Sequence, residues 1–221
     1  MVSTDNDLKE ELAFDYLKLR RYVGLLGMAM PWVLWFCGGL FFNIDLQPSM
    51  SAYAHTAMLP MFSGSLWVIG VFLIAYEGFH RSDDIIASIA GFAALGVSFF
   101  PTNFVDKHPC TFSWDAPLIH VISAGFYFGS LAYMSYFQFT KTNCKAGNIG
   151  PRKKRRNRVY RVSAIVMVGA VVALIVENIF VVKPESLPNA MFWAEAIAIS
   201  AFGVAWYVKG EGFKRWMGDE A

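Results

Sequence analysis

The sequence predicts an all-α polytopic membrane protein, a bundle of six transmembrane helices with a short N-terminal amphipathic helix. Three observations carry this. Six apolar stretches, 23–43, 56–78, 85–100, 117–139, 163–182 and 191–208, are long or nearly long enough to cross a bilayer, against the ~20 residues that a spanning helix needs. The 221 residues are 56% hydrophobic and only 16% charged, which excludes an ordinary soluble domain. With the N-terminus placed inside, all Lys and Arg except Lys107 and Lys183 fall on one side. Translocating such residues is disfavoured, so both ends of the chain are expected in the cytoplasm.

Taken in order, the segment 1–22 opens with Thr4 or Asp5 as a cap, and Leu8, Leu12, Tyr16 and Leu19 recur at spacings of four, four and three. That periodicity predicts an amphipathic helix on the inner membrane surface. Asp5, Asp7, Glu10 and Glu11 leave no apolar core for a cleavable signal, so the first span is expected to stay as an anchor. Pro31 in the first span and Pro60 in the second each remove a backbone donor, and a bend is expected at both. The third span is short and rich in small residues (Ala87, Ala90, Gly91, Ala93, Ala94, Gly96), which predicts close packing inside the bundle. Gly125 and Gly129 in the fourth span predict a close helix approach within the chain. The Gly-, Asn- and Lys-rich stretch Lys141–Asn157 is expected to be a flexible connection.

The basic residues Arg152, Lys153, Lys154, Arg155, Arg156 and Arg158 lie between two spans on the cytoplasmic side. They are a topology determinant and a contact for anionic lipid head groups rather than a nucleic-acid patch. A cytoplasmic tail, 209–221, closes the chain. Tryptophans near span ends, Trp32, Trp67, Trp193 and Trp206 among them, are expected as interface anchors. The layout separates Cys37, Cys110 and Cys144, so an internal disulfide is not expected.

Polar residues at membrane depth need a reason to be there. His120, Ser123, Tyr127 and Ser130 are spaced by three, four and three, and therefore form one stripe on the fourth span. Asp115 lies just before it. His55 opens the second span after Ser49, Ser51 and Tyr53. Glu177 and Glu195 lie at similar depth, roughly 6–8 Å below the outer ends of their helices. Together these residues predict a polar pocket open to the outside.

Three readings compete for that pocket. In one, His55, His120 and a carboxylate (Asp115 or Glu195) ligate zinc, and a bound water attacks a lipid ester or amide. In another, His55 and His120 hold a haem between two helices. In the third, Tyr53, His55, His120, Ser123, Tyr127, Glu177 and Glu195 bind a small ligand or lipid head group, or pair with one another. Pairing is the usual fate of intramembrane polar residues, which puts this reading first. No span contains a lysine, so a retinal Schiff base is excluded; no phosphate-cradling Gly-Lys motif, nucleophile elbow or Cys-x-x-Cys pair is present.

Several runs point to one group of proteins. They are Ser51-Ala-Tyr53-Ala-His55-Thr56, Gly70-Val-Phe72-Leu73 with Tyr76-Glu-Gly78, and Leu95-Gly96-Val97 with Phe100-Pro101-Thr102. Arg156-Asn157-Arg158-Val159-Tyr160-Arg161, Phe192-Trp193-Ala194-Glu195, and Ala201-Phe202-Gly203 with Val208-Lys209-Gly210-Glu211 complete the set. From Leu19 to Glu211 the chain resembles a bacterial family of six-span inner-membrane proteins with a domain of unknown function, distantly akin to the DRAM/Sfk type. The resemblance implies a six-helix fold and no established activity, and it points to Tyr53, His55, Glu195 and Arg156–Arg161 as positions with a shared role. Met58-Leu59-Pro60-Met61 stands where the pattern has an Arg-Asp pair.

The reading reached from the sequence is a non-enzymatic inner-membrane protein that binds a ligand or head group through an outward pocket. A metal-dependent intramembrane lipid hydrolase and an accessory subunit of a larger membrane complex are the alternatives.

Overall fold

The structure, a computed structural model, describes residues 5–78, 80–100, 116–141, 150–180 and 189–212, with backbone alone at 5–14, 174 and 176–180. It is an all-α bundle: α1 Asp5–Trp32, α2 Gly38–Phe42, α3 Leu59–Ile74, α4 Arg81–Phe99, α5 Ala116–Tyr133, α6 Pro151–Phe180 and α7 Ala190–Lys209. No strand occurs among the described residues. Four stretches are long and apolar enough to cross a membrane: Asp15–Phe42, Arg81–Phe99, Ala116–Gln138 and Ala190–Lys209. The apolar helix α3 is shorter, at 16 residues.

The long helices form a closed ring in the order α1, α3, α4, α5, α6, α7. Two seams rest on backbone contact, because glycines face each other there. A Cβ on Gly203 would lie 2.5 Å from the Gly24 carbonyl, and one on Gly91 would lie 2.5 Å from the Gly70 carbonyl. The small-residue face of α4 is buried as expected, through Ala87, Ala90, Gly91, Ala93 and Ala94. Gly125 and Gly129 behave otherwise. Among the described residues nothing lies within 4 Å of a Cβ added at either, so no close approach forms there on α5, which corrects the expectation.

Several boundaries differ from the sequence reading. No proline or glycine interrupts the chain between Leu8 and Val23, so the N-terminal segment and the first span are one continuous helix, α1. Pro31 lies inside α1 and is followed by a single π turn, Val33–Cys37, before α2 resumes the path. A missing backbone donor is accommodated by such a local widening. Asn43 then ends α2 in the left-handed conformation that asparagine tolerates. Pro60 falls in the first turn of α3, where the lost N–H has no intrahelical partner to lose, so it starts the helix instead of bending it. Thr56 assists: its hydroxyl donates to the Tyr53 carbonyl at 2.8 Å and accepts the Met58 N–H at 3.1 Å. Residues 151–157, expected in a connection, are the first turns of α6.

The basic ends of the helices meet at one end of the bundle. Arg21 Nε donates to the Gly210 carbonyl at 2.6 Å, closing the C-terminus of α7. Lys141 pairs with Asp83 at 2.5 Å. Lys153 Nζ donates to the carbonyls of Phe139 and Lys141 at 3.1 and 2.9 Å. Trp206 is fully buried at this end, edge-on to Phe72, Tyr76 and Phe139 at 5.1–5.2 Å. It is a core residue, which corrects its reading as an interface anchor. Trp32 and Trp67 keep more than 40% of their surface exposed.

Candidate functional site

At the end of the ring opposite the basic residues lies a cavity of about 40 Å³. Its polar walls are Ser51, His120, Tyr127 and Glu195, and Met30, Met50, Phe62, Leu66 and Val97 supply apolar ones. Each polar group is delivered by a different local device. Ser49 Oγ accepts the Ala52 N–H at 3.1 Å and lies 3.0 Å from Ser51 Oγ, which starts the 3₁₀ turn Ser51–His55. The Phe192 N–H donates to the Pro48 carbonyl at 2.9 Å and ties that turn to α7. Glu195, one turn further along α7, accepts the Met50 N–H on Oε2 at 2.6 Å. A bond of this kind partly meets the cost of holding a carboxyl away from water.

His120 and Tyr127 are two turns apart on the inward face of α5. His120 Nδ1 donates to the Phe100 carbonyl at 2.6 Å. A carbonyl only accepts, so Nδ1 carries the proton. Tyr127 is 2% exposed, and its hydroxyl has no hydrogen-bond partner among the described residues. Deleting an orphaned buried hydroxyl removes a penalty of about 1–3 kcal/mol. Tyr127→Phe is therefore expected to raise the melting temperature in detergent; a fall would report a partner held on the hydroxyl in the cavity.

The residues named from the sequence are distributed as follows. His120, Tyr127 and Glu195 share the cavity. His55 ends the 3₁₀ turn and is exposed off the cavity wall, although close enough to His120 for a charge on one to act on the other. Tyr53 is buried behind the turn against Phe192, at 6.0 Å between rings. Its phenol is pushed up by burial, with the Gln47 backbone acting against the shift. Ser123 faces α4, where it would meet a Cβ on Gly96 at 2.5 Å. Asp115 lies outside the described residues, as does the side chain of Glu177, whose backbone belongs to α6. Among the described residues, no three His, Cys, Asp or Glu side chains stand close enough to hold a metal ion.

Sequence reasoning missed the Met50 N–H, because a loop backbone donor has no side-chain signature. It also missed the division of the basic run. Lys153, Arg156 and Asn157 are half-buried and Tyr160 is buried, whereas Arg152, Lys154, Arg155 and Arg158 are exposed. Spacings of three, one and three mark the first set as one inward helix face. Burial first, and then the neighbouring Arg156 charge, hold the Lys153 ammonium below the usual lysine range.

Compared with known protein families, curated proteins and solved structures, the chain matches none.

Proposed function

We propose that this is a six-span inner-membrane protein, both ends cytoplasmic, whose outward cavity receives the polar tip of a small ligand or lipid head group without turning it over. Kinship with the DRAM/Sfk type of membrane protein is part of this proposal. The observation that supports it best is the convergence of a carboxyl, an imidazole and an unpartnered phenol from two helices on one cavity. Size narrows the occupant. A water needs ~10–15 Å³ of such space, so about 40 Å³ takes a few waters or one small polar group, not a whole head group. Glu195 and His120, which line the cavity, then supply the polar contacts, and the methionines close around the stem.

The hydrolase reading needs His55, His120 and Asp115 or Glu195 on one metal. Of these, His55 lies off the cavity wall.

The test is thermal unfolding of the protein in nanodiscs whose lipid head groups are varied one at a time. A head group that stabilises the native protein by binding only the folded state raises the melting temperature. Glu195→Gln is expected to remove most of that rise. Equal shifts for the native protein and for both Glu195→Gln and His120→Ala would sink the pocket reading. Near-stoichiometric zinc on elemental analysis of the purified protein would move the hydrolase reading ahead of it.

A further inference from the structure

The walls of the cavity are uneven in charge. Among the described residues that line it, Glu195 is the one carboxyl, and no Lys or Arg is present. Glu195 accepts the Met50 N–H on Oε2 and takes no second hydrogen bond or ion pair from a described residue. A carboxyl at membrane depth serves to pair with a cation or to carry a proton. The rest of the wall decides between the two.

Tyr127 is buried on the same cavity, and its hydroxyl has no partner among the described residues. A proton on Glu195 would leave that hydroxyl as it stands, whereas buried polar groups are nearly always paired. Ser51, the third group, comes from the 3₁₀ turn, and its Oγ lies 3.0 Å from Ser49 Oγ. A hydroxyl oxygen has two lone pairs, so Ser51 Oγ keeps one free whichever way that bond runs. The cavity thus offers three oxygen acceptors from three separate elements, α7, α5 and the turn. A cation with several N–H donors answers the carboxyl and the orphaned phenol together.

Resting on the cavity reading given above, we propose that the occupant is a primary ammonium on a short carbon stem, held by the oxygens of Glu195, Tyr127 and Ser51. Such a group has three N–H donors, one for each oxygen. Paired with the Glu195 carboxylate it is neutral as a whole, as membrane depth demands. The rings of Phe62 and Phe128 and the thioethers of Met30 and Met50 are polarizable walls that suit a cation. Size agrees. An ammonium is about as large as a water, which needs ~10–15 Å³, so about 40 Å³ leaves room for a two-carbon stem behind it. A trimethylammonium is too bulky and has no N–H to give. A hydroxyl tip would satisfy Tyr127 but leave the carboxylate without a counter-charge. Two sources carry the right chemistry, a lipid head group that ends in a primary amine and a free short amine.

The experiment follows thermal unfolding of the full chain. Phosphatidylethanolamine is diluted into phosphatidylcholine nanodiscs, its N,N-dimethyl derivative is used in a parallel set, and ethanolamine is added to protein in neutral detergent. The three lipids are alike in net charge and differ in their N–H groups. A saturable rise in melting temperature is expected with the primary amine from at least one source, and most of it is lost with the dimethyl lipid. Glu195→Gln keeps the shape of the side chain and is expected to raise the apparent Kd about tenfold or more, the loss of one charged hydrogen bond. Tyr127→Phe is expected to raise it about fivefold, and carries the comparison should Glu195→Gln fail to fold. Stabilisation by ethanolamine assigns the site to a soluble amine; response to phosphatidylethanolamine alone assigns it to lipid. An equal rise with the dimethyl lipid, or in both variants, would reduce the effect to the bilayer and overturn the inference. A Glu195-dependent rise with phosphatidylglycerol and none with either amine would overturn it while the cavity reading stands. No response to any head group or to ethanolamine would remove both.

Discussion

Replacing Asp83 with Ala is expected to destabilise the bundle by about 3 kcal/mol, the low end of the penalty for breaking a buried ion pair from one side. The carboxylate has 3% of its side chain exposed and pairs with Lys141 at 2.5 Å. It also lies in the first turn of α4, where a negative charge meets the positive end of the helix dipole. Lys141 keeps 34% of its side-chain surface in solvent, so its ammonium rehydrates in part, and this holds the loss to the lower value. The pair joins the start of α4 to Lys141, three residues beyond the π turn Met134–Gln138 that follows α5, and Lys153 of α6 donates to the Lys141 carbonyl. Its loss therefore loosens three helices. The double variant Asp83→Ala with Lys141→Met is expected to recover most of the stability, since no charge is then left buried without a partner. Chemical unfolding in detergent across the four members of this cycle decides it. A single variant as stable as the native protein, or a double variant no better than the single, would show that the pair carries no weight.

How much of this was legible beforehand follows from the physics of each residue. The helices could be read because an apolar run near membrane length has few other uses, and Glu195 stood out because a carboxyl one turn deep must be answered. His120 and Tyr127 were legible as one stripe because helical spacing fixes a face on its own helix. Spacing does not say which neighbour covers that face. This is why Ser123 of the same stripe turned out to pack on Gly96 and why no described residue comes within 4 Å of a Cβ added at Gly125 or Gly129. His55 follows the same logic from another direction. Reading it as the first residue of a span assumed a helix that begins at Thr56, whereas the chain makes a 3₁₀ turn there and starts α3 at Leu59. The basic run was read by its charge alone, which hid the inward face of Lys153, Arg156 and Asn157.

Glycine was the least legible residue of all, and it supports the largest expected effect. Gly203→Leu is expected to cost more than the ~1–3 kcal/mol typical of an overfilled core, because the obstacle is backbone and has no rotamer to move to. An added Cβ would lie 2.5 Å from the Gly24 carbonyl and 2.7 Å from both the Met28 N and its Cγ. The reverse contact is as close, with a Cβ on Gly24 falling 2.6 Å from the Tyr207 N. The helices α1 and α7 must then separate, and the loss spreads along the seam. Phe202 and Ile199 would leave Gly27, and the Arg21 bond to Gly210 would lengthen at the basic end. The cavity would feel it too, since Met30 of α1 and Glu195 and Ile199 of α7 share its walls. Gly125→Leu is the matched control, the same change on a helix face that meets no described residue within 4 Å, and is expected to stay within about 0.5 kcal/mol of the native protein. Unfolding of both variants in the same detergent is the measurement. Equal stability of the two would mean that α1 and α7 do not approach through Gly24 and Gly203, and the ring would have to be closed some other way.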